Sequence, residues 1–553
     1  MDNQHLYLDK ANEVCRNIFE KEYFNSLGIP LPEIKFIQPD SANFKSGEYY
    51  IRIGDTWQIH LNFGLLPPSI LEFAEEVKVL TRHEVEHYQT CPFDVLTHFR
   101  MLKVIVDTYN AKFSGHKIDI NKLAPQLANQ AADIVIDTHN FRRYPIETLK
   151  SEIEWIKKGD AKVFNELPRH AKLMFLTKQA LWKADLKLDE NDSNLLLKID
   201  QLASVIDQGG ITNKELYLSK TSHYTELFFE LFQQDKNDIP DSEKGSISTG
   251  MLGPEIMPSK DSQQEGSNFI FQSPDKISHA IQQFAQEAGL DEFQQIIDMA
   301  GIKGLSISDK QRIWFEAQNI NEIELPASIF NGSQDVYMYP EVWKIGDPIE
   351  DIDIMLTYTV SPIIIPGVTT KKWSKNPVFK GGAQKSSPDL LLVLDSSGSM
   401  GSLKDEKSNL FNAVKSCFAI IKYFEKNNSE VALINFSSKA TINLWSKDYK
   451  NIKESLLLEG GGNTVFPIEA LEKLSRLKKS NCVIVIITDG EIQNDIQTLE
   501  ILTDHLLLGN KVFMFLQDKK GTIKKFLDLE SYGALISQAF TAEDIRYLVL
   551  NSL

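Results

Sequence analysis

The sequence predicts a multidomain chain, with a mainly helical α+β domain first and a doubly wound α/β domain last. Three observations predict it. At 553 residues the chain exceeds what one hydrophobic core ordinarily supports. Residues 1–235 follow mostly helical periodicity, broken by short strand-like runs. From residue 386 onward, strand-length apolar runs alternate with helical patterns, as a mostly parallel sheet covered by helices requires.

In chain order, MDNQHLYLDKANEVCRNIFEKEYF has amphipathic helical spacing, and strand-like stretches follow at Ile34 to Ile37, Tyr49 to Ile53 and Trp57 to Phe63. After Pro67-Pro68, Ser69 and Glu72 form a capping-box pattern. Ile70, Phe73, Ala74, Val77 and Leu80 then draw an apolar helical stripe. LANQAADIVIDTHNF is a further apolar helical segment. Residues 236–267 are rich in Ser, Gly, Pro and charge and contain no aromatic residue, which predicts a flexible linker. Between 268 and 385, helical periodicity at Ile277 to Ile297 and Lys310 to Gln318 gives way to β-branched and aromatic stretches such as IEDIDIMLTYTVSPIII. This reads as a connecting α+β segment that braces the final domain or forms part of an interface, with bracing the favoured role. Residues 386–553 hold strand PDLLLVLD, helix Asn409 to Lys426, strand VALINFSS, the loop EGGGNTVF entering a helix, strands NCVIVIITDGE and VFMFLQ, and a closing helix TAEDIRYLVLNSL.

Composition narrows the function classes. With 42% hydrophobic and 24% charged residues the chain has the material for real cores. A net charge of -17 opposes a large nucleic-acid footprint, which needs clustered Lys and Arg. Cys15, Cys91, Cys417 and Cys482 are far apart and form no CxxC pair, so a reducing compartment fits. The longest apolar runs, LLLVL and VIVII, are far short of a membrane span, and the N-terminus has no secretion signal. A cytoplasmic location with no membrane partner is expected.

The loops at the strand ends of the last domain carry DSSGS at 395–399, GGNT at 461–464 and TDG at 488–490. They resemble the von Willebrand factor A family residue by residue. Its DxSxS motif falls on Asp395, Ser397 and Ser399, its threonine on Thr464 and its second aspartate on Asp489. Hydroxyl and carboxylate oxygens are hard donors, so Mg²⁺ (or Mn²⁺) is the expected ion of this metal-ion-dependent adhesion site. The resemblance implies that Asp395 and Asp489 hold the ion partly through water while the three hydroxyls ligate it. One position is then left for a partner's Asp or Glu, and such a site binds rather than catalyses.

The N-terminal domain carries a different signal. His83-Glu84-Val85-Glu86-His87 is an HExxH motif, which puts both imidazoles on one helical face and predicts a Zn²⁺ site with Glu84 as general base. Metzincins would place a third His where this chain has Phe93. On the downstream helix Asn129, Asp133, Asp137 and His139 cluster, with Asp133 and Asp137 sharing a face. Asp133 is the third-ligand candidate, and Asp137, His98 and His139 are the alternatives. Tyr88 and Arg82 flank the motif, but the sequence identifies no His, Tyr or Arg that would steady an oxyanion. The strand, helix, HExxH order and the NxxAD-like helix resemble a zincin-like metallopeptidase domain of bacterial proteins that also end in a von Willebrand factor A domain.

That resemblance implies a zinc-dependent peptidase acting on a peptide or protein, working with a MoxR-type AAA+ ATPase that docks at the Mg²⁺ site. The chain has no phosphate loop of its own, since Gln384 precedes Lys385-Ser386 where GxxxxGK[ST] demands Gly. The competing expectation is a non-catalytic adaptor for such an ATPase, with a structural or inactive zinc site.

Overall fold

The computed structural model describes residues 2–23, 33–37, 49–52, 58–62, 69–114, 118–158, 167–188, 190–237, 274–302, 304–318, 336–344, 347, 352–360, 364–376, 388–478, 481–517, 521–539, 541 and 544. They fall into two compact units, Met1–Ala317 and Gln318–Leu553. The expected linker lies outside the described residues from 238 onward, as does most of the expected closing helix.

The first unit opens with α1 (Asp2–Lys21), followed by β1 (Glu33–Ile37), β2 (Tyr49–Arg52) and β3 (Gln58–Asn62). The strands make one sheet in the order β1-β3-β2, with β1 parallel and β2 antiparallel to β3. Among the described residues seven α-helices follow: α2 (Ile70–Gln89), α3 (Val95–Lys112), α4 (Ile120–Arg143), α5 (Pro145–Lys158), α6 (Arg169–Trp182), α7 (Ser193–Asp207) and α8 (Tyr217–Asn237). The apolar stripe of α2 is the reason it stays put. Phe73, Val77, Leu80 and Val85 pack with Ala11, Cys15, Ile18 and Phe19 of α1. Ser69 occupies the N-cap position of α2 but its side chain makes no cap hydrogen bond, so the capping-box pattern marks the helix start without fixing it.

The segment expected to connect the domains divides between the units. Its helical part forms α9 (Pro274–Glu287), α10 (Leu290–Met299) and α11 (Ile307–Gln318). The single helix expected from Ile277 to Ile297 is broken at Gly289, which caps α10 in an extended conformation. α9 and α10 pack on α3, where Phe284 meets Phe99 and Arg100 pairs with Glu287. The remainder belongs to the second unit as β4 (Val336–Val342), α12 (Ile354–Val360) and β5 (Lys371–Asn376). β4 and β5 pair antiparallel. IMLTYTV, read as β-branched, is helical, because Asp353 caps it through Leu356 N and Thr357 N bonds the Asp353 carbonyl.

The rest of the second unit is an α/β sheet. Its elements are β6 (Asp389–Asp395), α13 (Asn409–Lys426), β7 (Val431–Phe436), β8 (Ala440–Ser446), α14 (Tyr449–Leu456), α15 (Ile468–Arg476), β9 (Cys482–Thr488), α16 (Asp495–Leu507), β10 (Lys511–Leu516) and β11 (Leu535–Gln538). The sheet order is β11-β10-β9-β6-β7-β8, all parallel except the antiparallel edge strand β8. The central strands β6, β7 and β9 are buried along nearly their whole length, as unbroken Val, Ile and Leu runs dictate. Side chains from one sheet face meet Ala470, Leu471 and Leu474 of α15 and Leu502 of α16 in a single core. All four cysteines are buried and free, two in each unit. Among the described residues no helix is long and apolar enough to cross a membrane.

Candidate metal centres

In the first unit, the HExxH residues occupy the last turns of α2 and are buried. The i, i+4 spacing aims His83 and His87 at α4, and the same spacing on α4 returns Asp133 and Asp137. Asp133 Oδ1 lies 3.4 Å from His83 Nε2 and 3.4 Å from His87 Nε2. These atoms form a cluster that could hold a metal ion. A tetrahedral ion with bonds of ~2.1 Å has ligand-to-ligand edges of about 3.4 Å, so the donor spacing fits such a geometry.

The far side of each donor is also held. His83 Nδ1 donates to Asp137 Oδ1 at 2.6 Å, and His87 Nδ1 donates to the Cys91 carbonyl at 3.1 Å. Asn129 Nδ2 donates to Asp133 Oδ2 at 3.2 Å, leaving Oδ1 to face the imidazoles. With Nδ1 carrying the proton on both rings, each Nε2 offers its lone pair inward.

The alternatives for the third donor are placed elsewhere. Asp137 sits behind the His83 ring rather than in front of it. His139 faces the Glu86 side, 3.8 Å from Glu86 Oε1. His98, on α3, is buried outside the three-donor cluster, and burial lowers its pKa to about 4 with a smaller contribution from His87.

The sequence singles out Glu84 as the glutamate of the motif, and in the structure Glu86, two residues on, is bound up in other contacts. Glu86 is 1% exposed and accepts from Tyr23 Oη at 3.3 Å, Arg143 Nη1 at 3.0 Å and the Thr90 hydroxyl. Glu84 is buried too, and takes part in none of these bonds. Arg82 is committed to structure: its guanidinium bonds both oxygens of Glu22 at 2.7 and 2.8 Å, pairs with Glu147 and lies 3.4 Å over the Tyr144 ring. Tyr88 packs against the α1/α2 core. The Cys91 carbonyl, being backbone, had no signal in the sequence, whereas Asn129, singled out there with Asp133, proves to clamp it.

In the second unit, Asp395 ends β6, Asp489 follows β9, and Thr464 sits in the loop before α15. All three lie at the carboxyl edge of the sheet, where open α/β sheets keep their sites. Asp395 Oδ1 accepts from Ser397 N at 2.9 Å and Oδ2 from the Thr488 hydroxyl at 2.6 Å. Burial raises the Asp395 carboxyl to about 6, with Asp489 adding to the rise and the Thr488 and Ser397 bonds opposing it. Ser397 Oγ and Ser399 Oγ are 3.2 Å apart, close to the edge of about 3.0 Å in an octahedron with bonds of ~2.1 Å.

The loops are tied to one another by backbone. Gly398 N donates to the Gly462 carbonyl at 3.1 Å and Gly461 N to the Ser396 carbonyl at 2.9 Å. Gly462 has φ +75°, and a Cβ there would come within 2.5 Å of Ser438 Oγ, so only glycine lets the Thr464 loop lie this close.

Comparison with protein families finds that residues 390–491 match the von Willebrand factor type A domain. A comparison with curated proteins finds no match.

Proposed function

With a von Willebrand factor type A domain at residues 390–491, we propose that the chain is a zinc-dependent metallopeptidase whose C-terminal domain engages a protein partner through Mg²⁺. The observation that carries the peptidase reading is the convergence of His83 Nε2, His87 Nε2 and Asp133 Oδ1. The neighbouring HExxH glutamate, Glu84, is not consumed by the bonds that lock Glu86.

Zinc held there would polarise a peptide carbonyl and make water a competent nucleophile near neutral pH. The protein's own part is to hold and move protons. Asp137 and the Cys91 carbonyl keep the proton of each imidazole on Nδ1. Glu84 takes the proton of the attacking water and delivers it to the leaving amine. Arg143, Tyr23 and Thr90 keep Glu86 out of this traffic.

For the second unit, the reading is a Mg²⁺ or Mn²⁺ site built from Asp395, Ser397, Ser399, Thr464 and Asp489, with an Asp or Glu of the partner completing the octahedron. Supporting it are the uniformly hard oxygen donors and the match to a family whose domains mediate protein interactions. The partner proposed is a MoxR-type AAA+ ATPase, on the two-domain order and on the lack of a phosphate loop in this chain. Four buried, free thiols support a reducing compartment, the cytoplasm.

The test is metal content by elemental mass spectrometry of the protein and of its His83→Ala/His87→Ala variant, after dialysis against Mg²⁺ buffer. One zinc per chain, lost in the variant, is expected. No zinc in either would overturn the peptidase reading and leave a Mg²⁺-dependent adaptor.

A further inference from the structure

We propose that the side-chain amide of Gln517 belongs to the Mg²⁺ site of the second unit, as the hydrogen-bond partner of a water carried by the ion. The inference rests on the Mg²⁺ reading above and adds a residue that none of the three sequence motifs includes.

Gln517 directly follows β10 and is 2% exposed, yet neither its Nε2 nor its Oε1 has a hydrogen-bond partner among the described residues. Its backbone is engaged on both sides. Gln517 N donates to the Thr488 carbonyl at 2.9 Å, and the Gln517 carbonyl accepts from Asn409 Nδ2 at 3.1 Å. The first bond sets Gln517 beside Asp489, because Leu516 stands opposite Thr488 in the ladder. The second ties it to the first residue of α13, the helix that the DSSGS loop enters. That loop folds back on the same point: a Cβ on Gly401, two residues past Ser399, would come within 2.8 Å of Ser408 Cβ. Gln517 therefore joins the two halves of the site, the loop of Ser397 and Ser399 and the strand end of Asp489.

Alternation along the strand fixes where the amide points. Val512, Met514 and Leu516 enter the core shared with α15 and α16, which includes no residue of α13. Gln517 leaves on the opposite face, with Phe513 and Phe515, into the corner between the end of β9 and the start of α13.

A buried amide without partners lowers stability, and an apolar side chain of similar shape would fill this corner better. Mg²⁺ accounts for the amide. The ion dehydrates reluctantly and keeps water among its six ligands, and a water on a dication is a strong donor that needs an acceptor close by. Oε1 supplies the acceptor, and Nε2 supplies a donor that the negative charge of the neighbouring Asp489 favours. Being neutral, the amide does this without repelling the acidic group that a partner brings, as a third carboxylate would.

The experiment uses the full-length protein stripped of metal. Mg²⁺ affinity is measured by titration calorimetry, and the stability of the metal-free protein by urea denaturation. Gln517→Met is expected to bind Mg²⁺ about tenfold more weakly, while its metal-free urea midpoint equals or exceeds that of the wild type. A purely structural glutamine would not lower affinity while leaving stability intact. Unchanged or tighter Mg²⁺ binding, or weaker binding accompanied by a lower midpoint, overturns the role of Gln517. Should Gln517→Met fail to fold by circular dichroism, Gln517→Leu carries the same expectation, and failure of both to fold makes the amide a structural group and overturns the role as well. A wild-type protein that takes up no Mg²⁺ overturns the Mg²⁺ site itself, and the role of Gln517 with it.

Discussion

Glu84 and Glu86 stand two residues apart on one helix and meet opposite fates. Glu86 is saturated by a phenol, a guanidinium and a hydroxyl, whereas Glu84, the proposed general base, takes part in none of these bonds. Glu84→Gln is therefore expected to keep zinc and fold while peptide hydrolysis falls by about 10²–10⁴-fold, read in a cleavage assay beside metal analysis. An undiminished rate would remove Glu84 from the mechanism. Asp395 supplies a pH prediction. Its folded carboxyl, raised to about 6 chiefly by burial, holds a proton more tightly than the unfolded chain does at about 3.9. In the metal-free domain its contribution to stability is thus full below the unfolded value and lost as pH rises through about 6. Proton and dication compete for the same group, so Mg²⁺ should bind about tenfold more weakly at pH 5 than at pH 7, measured by titration calorimetry. A flat profile would show that Asp395 does not gate the ion.

At the scale of elements, α2 is both a structural beam and the carrier of the motif, and Arg82 joins the two roles. It ties α2 to Glu22 beyond α1 and to Glu147 of α5. Arg82→Leu strands both carboxylates, which remain partly solvated, and should cost about 2 kcal/mol in urea denaturation with little change in m. An unaltered midpoint would reduce the pair to a surface decoration. The same helix shows what was legible beforehand. Its apolar stripe and HExxH spacing follow from a 3.6-residue period and could be read directly, as could β6, β7 and β9 from their unbroken apolar runs. Position in space could not. Asp133 and Asp137 share one face and one chemistry, and only the packing of α4 on α2 sets one before the imidazole and the other behind it. The helix Ile354–Val360 escaped for a different reason: its β-branched residues favour strands, and capping by Asp353 overrode that local preference. The break at Gly289 lay within a periodic stretch whose period does not register a change of axis.

At the scale of the molecule, the two candidate metal sites lie in different compact units. Asp395→Ala should abolish Mg²⁺ binding and leave zinc stoichiometry intact, and His83→Ala/His87→Ala the reverse, both followed by metal analysis of the full chain. Loss of both ions from either variant would mean that one site supports the other. The cysteines give this division a practical use. Cys15 and Cys91 belong to the first unit and Cys417 and Cys482 to the second, each buried and without a disulfide. Burial pushes the Cys15 and Cys482 thiols up to about 11, which further suppresses alkylation in the native state. The unmodified chain therefore carries its own labels for site-resolved unfolding: a pulse of iodoacetamide along a urea series, read by peptide mapping, reports which half opens first. If the four thiols react in two separate steps, the halves melt independently; if they react together, the chain is a single cooperative block.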